Sequence, residues 1–186
     1  MGSRVFSEHT PVTDIGNAVE RARNERVVIV DENNREVGTA LRHEMRAKRL
    51  PHRATYIFVF NENGRLLVQR RTDTKDMYPG YFDLAAGGVV VAGETYDESA
   101  VREAEEELGI RDTPLTPCFE FYYEDEKNRC FGKVYACTHE GPFTLQPEEV
   151  VSTEFRDLPE ILDGQIEPVT PDTLDALKRL IKRQQV

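Results

Sequence analysis

A chain of 186 residues with 34 acidic and 24 basic side chains carries a formal charge of −10 and is 39% hydrophobic, which suits one domain with a core of its own. The acidic balance argues against a nucleic-acid partner, because binding to a phosphate backbone is driven by Lys and Arg. No apolar run has the length of a membrane span or a secretion signal, and the widely spaced Cys118, Cys130 and Cys137 suit a reduced, cytoplasmic protein.

Residues 1–24 read as a loosely ordered extension, weakly helical around Ala18 to Arg23, ahead of a single domain over 25–186. Arg26 to Val30 is β-branched, Asp31-Glu32-Asn33-Asn34 is turn-like, and Glu36 to Leu41 is extended again, which predicts a hairpin. Arg42 to Leu50 suits a short helix stopped by Pro51, and Ala54 to Phe60 is apolar throughout, as a buried strand is. Asn61-Glu62-Asn63-Gly64 turns the chain into Arg65 to Arg71, predicting a second hairpin. Asp73 to Gly80 is a polar loop, and Tyr81 to Ala86 returns to the sheet before Gly87-Gly88.

Residues 88–110, GVVVAGETYDESAVREAEEELGI, then read as a glycine loop, a helix and a glycine stop. Asp97 is expected as the N-cap and Gly109 as the left-handed residue that ends the helix. At about 100° per residue, Val101, Ala104 and Leu108 make one apolar stripe, while Glu103, Glu106 and Glu107 share a neighbouring arc. By local rules that arc is unfavourable. Like charges at this spacing cost roughly 0.2–0.5 kcal/mol per pair, and anions in a last turn oppose the helix dipole by roughly 0.3–1 kcal/mol each. A hard divalent cation such as Mg²⁺ would offset the cost, since it takes carboxylate oxygens and bridges to phosphates. A solvated acidic face with Arg102 as its partner is the simpler alternative.

Farther on, Phe119 to Glu124 and Phe131 to Cys137 predict a third hairpin around Asp125 to Arg129. Gly141 to Glu149 is a proline-interrupted loop, Val150 to Phe155 a late strand and Pro159 to Leu162 a helical turn. Thr170 as N-cap, Pro171 at the first helical position and apolar Leu174, Leu177, Leu180 and Ile181 mark a closing amphipathic helix.

Five residues separate Gly88 from Glu94 and seven separate Glu94 from the run Arg102-Glu103-Ala104-Glu105-Glu106-Glu107-Leu108-Gly109-Ile110. At every fixed position this resembles the signature of the Nudix hydrolases. The resemblance implies an α/β/α sandwich with a mixed central sheet, Mg²⁺ or Mn²⁺ held by Glu103, Glu106 and Glu107, and support of loop and helix by Gly88, Glu94 and Arg102. It also implies cleavage of a diphosphate linkage in a small molecule, either a nucleoside diphosphate derivative or a nucleoside triphosphate, and by analogy with many relatives a homodimer. The three glutamates cannot all serve as free base as well as ligands, so a further catalytic carboxylate is expected. Glu149, beside Glu148 in QPEEV, lies where many family members place one, with an exposed acidic turn as the alternative.

Leu66 to Gly80, LLVQRRTDTKDMYPG, resembles one branch, the Nudix-fold isopentenyl-diphosphate isomerases and the hydrolases related to them. Their diphosphate-gripping Arg and Lys match Arg71 and Lys75, residue types suited to phosphate. Their catalytic Cys matches Ala86, a metal-binding His matches Gly88, and an acidic pair falls on Asn128 and Cys130. Of two upstream metal histidines only His52 has a counterpart, Met45 standing at the other position. A hydrolase is therefore the leading expectation, with an isomerase-like enzyme and a non-catalytic diphosphate-binding module as the alternatives.

Overall fold

In the computed structural model, which describes residues 12–184, the elements follow in the order α1 (Val12–Arg23), β1 (Arg26–Val30), β2 (Glu36–Leu41), α2 (Arg42–Ala47), β3 (His52–Phe60), β4 (Leu66–Arg71), β5 (Phe82–Asp83), α3 (Tyr96–Leu108), β6 (Thr116–Glu124), β7 (Arg129–Thr138), β8 (Val150–Arg156), α4 (Leu158–Leu162) and α5 (Pro171–Gln184). The extension expected over 1–24 thus carries a helix, and the part before Val12 lies outside the described residues. No helix among the described residues is long and apolar enough to cross a membrane.

β3 is buried along nearly its whole length, and its alternation divides the core. Tyr56 and Phe58 pack with Leu66, Val68, Leu84 and the α5 residues Ala176, Leu177 and Leu180. Ile57 and Val59 pack with Leu67, Ala86 and the α3 residues Ala100, Ala104 and Leu108. The sheet therefore lies between two helical layers, as the family resemblance implies, and each fully buried Leu contributes about 1.5–3 kcal/mol to holding a layer in place. The sheet is mixed: β3 and β7 run parallel from His52 opposite Cys130 to Phe60 opposite Thr138, while β1–β2, β4–β8 and β6–β7 are antiparallel.

Two local expectations give way to packing. β3 and β4 do form the expected hairpin, yet they meet only beside its turn, where Phe60 faces Leu66. They part above the turn, and the segment after β5 enters beside β3. Ile57 and Ala86 exchange both backbone hydrogen bonds, at 2.8 and 3.0 Å, and Thr55 N–H donates to Gly88 O at 2.9 Å. Of the strand expected over Tyr81 to Ala86, only Phe82–Asp83 is a regular strand. The gain is that Gly87 and Gly88 reach the centre of the sheet.

The second correction concerns α3, whose cap lies two residues before the expected one. Thr95, not Asp97, is its N-cap: Thr95 Oγ1 accepts from Glu98 N–H at 3.2 Å, and Glu98 Oε2 accepts from Thr95 N–H at 2.8 Å. This reciprocal pair satisfies two donors where a lone Asp97 would satisfy one. Asp97 instead accepts from Lys133 Nζ at 2.7 Å and from Tyr135 OH. Ala100, Ala104, Glu107 and Leu108 are buried, and Val101, expected in the stripe, is 58% exposed. Gly109 ends the helix at φ 69°, in the left-handed region as expected.

Candidate active site

The site grows from the contact between the glycine loop and the acidic face of α3. A Cβ on Gly88 would lie 2.5 Å from Glu103 Oε1, so only glycine lets that carboxylate press against the loop. Gly87 sits at φ 135°, where a Cβ would lie 2.1 Å from the Thr55 carbonyl oxygen, and its N–H donates to Glu107 Oε2 at 3.1 Å. The loop thus touches two of the three glutamates.

Arg102 joins the third, Glu106, to Glu103. Its Nε and Nη2 donate to the two oxygens of Glu94 at 2.8 and 3.0 Å, and its Nη1 donates to Glu103 Oε1 at 2.9 Å and to Glu106 Oε2 at 3.0 Å. Glu94 fixes the guanidinium from the loop side, and the guanidinium then brings Glu103 and Glu106 to one nitrogen. Gly88, Glu94 and Arg102 thereby stand where loop and helix are joined. Glu105 points elsewhere and pairs with Arg111 at 2.9 Å.

Burial raises the pKa of Glu103 against the pull of Arg102, and burial together with the charge of Glu103 raises that of Glu107 against the pull of Lys75. A positive ion beside them would relieve both. Among the described residues no three Asp, Glu, His or Cys side chains are already grouped as a metal centre. Glu103 and Glu106 are drawn to Arg102, and Glu107 to the loop. The donors nevertheless fit a hard divalent cation in kind: all are carboxylate oxygens on one helix face, two of them within reach of a single nitrogen.

Glu149, the candidate for a further carboxylate, lies in the loop immediately before β8. The loop before β8 is tied to the loop after β4 by Thr72, whose N–H donates to Glu149 O at 3.1 Å and whose Oγ1 donates to Glu148 O at 2.9 Å. Glu149 forms an ion pair with Lys75, whose pKa burial and the nearby Arg71 lower. Arg71 donates through Nη1 to Asp83 Oδ2 at 2.6 Å and through Nη2 to Met77 O at 2.8 Å. Both basic residues singled out in the sequence therefore reach the site with an internal partner already in hand.

Arg71 and Lys75 line a cavity of about 80 Å³ bounded by Ala86, Gly87 and Gly88 on the loop side. Its far wall went unremarked in the sequence. Asp172, in the first turn of α5, accepts from Tyr56 OH at 3.0 Å, and Asp83 accepts from Thr170 Oγ1 at 3.1 Å. Burial and the charge of Asp83 push Asp172 up to about 6. Arg42 and Arg46 of α2 complete the lining; their signal was the i, i+4 spacing in RHEMR, which puts both on one face of a helix. His52 is buried, with Nδ1 2.9 Å from Leu50 O, and burial together with Arg46 lowers it to about 3, so it sits in the wall as a neutral ring.

Comparison with known proteins points in one direction. Residues 50–180 match the NUDIX domain. An uncharacterized Nudix hydrolase of Yersinia pestis is 48% identical over 157 residues, spanning 84% of this chain and 86% of that protein. The uncharacterized Nudix hydrolase YfcD of Escherichia coli K12 is 48% identical over 162 residues, spanning 87% and 89%. Among solved structures, DR0079 of Deinococcus radiodurans superposes with a TM-score of 0.73 at 29% identity, covering 84% of this chain and 99% of its own. The NUDIX domain of Shewanella oneidensis NrtR, solved with ADP ribose, shares the fold with a TM-score of 0.57 at 14% identity, over 72% and 87%.

Proposed function

The chain belongs to the Nudix hydrolase family, and from that premise we propose that it is a Mg²⁺-dependent pyrophosphohydrolase acting on a nucleoside diphosphate derivative or a nucleoside triphosphate. The family assigns an enzyme that hydrolyses small molecules and generally works with a divalent metal. The observation that carries the finer reading is the Arg102 fork, which turns Glu103 and Glu106 toward one point while the Gly87 N–H holds Glu107 close by.

Glu103, Glu106 and Glu107 would hold Mg²⁺, with Mn²⁺ as a substitute, and the cation would neutralise phosphate charge and make a bound water more acidic. Arg102, braced by Glu94, keeps two of these carboxylates oriented, and Gly88 lets Glu103 reach the loop. Arg71 and Lys75 line the cavity as the cations available to a diphosphate. When Lys75 turns to a phosphate oxygen, Glu149 is freed to take a proton from the attacking water. The ADP ribose bound by the Shewanella domain is in keeping with a nucleoside diphosphate class.

An isomerase draws no support from the cavity, because Ala86 and Gly88 supply neither thiol nor imidazole there. A binding module without turnover would have no need of the complete glutamate set. We assign the protein to the cytoplasm from its free cysteines and expect a homodimer by family analogy, which light scattering on the purified chain would check. The central test is a screen of nucleoside diphosphate derivatives and triphosphates with Mg²⁺. A substrate should be cleaved, with loss of activity on chelation and recovery on adding Mg²⁺ or Mn²⁺. Full turnover in excess chelator would sink the assignment.

A further inference from the structure

A second cavity, of about 410 Å³, opens between α1, α2 and the loops at Thr74 and Gln146. Val19 and Ala22 of α1 form part of its wall, and α1 is docked there by His43, whose Nδ1 lies 3.0 Å from Arg23 O. Its size is that of a pocket for a nucleotide-sized organic group. The two cavities have four lining residues in common: Arg42, Arg46, Lys75 and Asp76. These four residues border both cavities, and three of the four are cations.

The two arginines of this shared lining differ from Arg71 in what their donors do. Arg71 commits both terminal nitrogens to Asp83 and Met77. Arg42 makes one long contact, Nη1 to Glu25 Oε2 at 3.3 Å, and Arg46 one, Nη1 to Asn128 Oδ1 at 3.3 Å. Arg46 Nε lies 3.5 Å from Asp76 Oδ2, buried and without a hydrogen bond in the chain. Their side chains are only 17% and 20% exposed. A guanidinium carries five donors in a planar fork matched to phosphate, and buried donors left unused cost stability. Arg42 pairs with Glu25 and Arg46 with Asp76, each through a single long contact, so both forks, one turn apart on α2, keep donors for a further anion.

We propose that Arg42 and Arg46 form a phosphate-binding neck between the two cavities, so that the substrate lies with phosphate between the arginines and its organic group in the outer cavity against α1. The proposal rests on the reading of a diphosphate substrate, yet the neck is built without the α3 glutamates and should bind without metal. On this account α1 is part of the substrate site, and Lys75, which borders both cavities with the arginines, brings its ion-pair partner Glu149 to the same place.

The test is calorimetric binding of methylenediphosphonate, a pyrophosphate analogue that is not hydrolysed, to the full chain in excess chelator. Wild type should bind. Arg42→Gln and Arg46→Gln should each weaken binding about tenfold or more, the scale of one lost charge-assisted hydrogen bond. Arg46→Lys keeps the charge without the fork and should fall between. Arg65→Gln should change nothing, since Arg65 also has an unpartnered Nε but lines neither cavity. Failure of wild type to bind, or glutamine variants within about twofold of wild type, would overturn the neck. Should a glutamine variant not fold, Arg46→Lys decides: weakening of about threefold or more supports the fork, and unchanged affinity removes it. Hydrolysis with Mg²⁺ but no metal-free binding would remove the neck alone; metal-free binding without hydrolysis of any screened substrate would remove the function alone.

Discussion

The last turn of α3 and the short helix α2 carry opposite charges near one cavity, and they obey opposite rules. Glu105, Glu106 and Glu107 stand at the end of α3 where the dipole disfavours anions, with no basic residue in that turn. Arg46 stands in the last turn of α2, where the dipole favours a cation, and Glu44 lies in its first turn. A helix that breaks local rules announces a function, because something outside it must meet the cost. A helix that keeps them is silent: the sequence marks α2 only as a short helix stopped by Pro51, and the tertiary fold is what sets its two arginines at the border of two cavities.

The contrast is tested hardest at the glutamates. Glu106→Gln and Glu107→Gln should each lower kcat by at least about a hundredfold, roughly 2.7 kcal/mol of barrier, while Glu105→Gln stays within about twofold. Glu105 is tied to Arg111 away from the others, so equal losses in all three variants would break the assignment of the acidic face. Two neighbouring glycines come next. Gly87→Ala drives a Cβ into backbone at a positive φ and should cost about 1–3 kcal/mol in a denaturant melt. Gly88→Ala meets the end of a flexible Glu103 instead, so activity should fall about tenfold with a nearly unchanged melt. A reversal of these two profiles would mean that Glu103 does not work from its place against the loop.

On the basic side, Arg71→Ala should raise KM about tenfold and lower kcat less, since a hold on phosphate is shared by ground and transition states. An unchanged KM with a lower melting temperature would mean that Arg71 serves only Asp83 and the Met77 carbonyl. The smallest effect separates the two candidate caps of α3. Thr95→Ala should destabilise by about 1 kcal/mol, and Asp97→Ala by less, because an exposed ion pair of the Lys133 kind contributes about 0–1 kcal/mol. The opposite order would restore Asp97 as the cap.

What the amino-acid sequence determined by itself is whatever repeats with the period of one helix or strand. The acidic arc of α3, the buried run of β3 and the amphipathic α5 are of this kind, and all are present. Periodicity says which residues share a face, but not what that face meets. The cap of α3 turned on the reciprocal Thr95–Glu98 pair, and the exposure of Val101 on how the helix packs against the sheet. The parting of β3 and β4 let the glycine loop between them, and β3 found its long partner in the distant β7. The meeting of Glu149 with Lys75, and of Arg42 and Arg46 with both cavities, joins residues from separate loops and layers. Such meetings are decided by which apolar faces bury together, a property of the whole chain that no short window of residues contains.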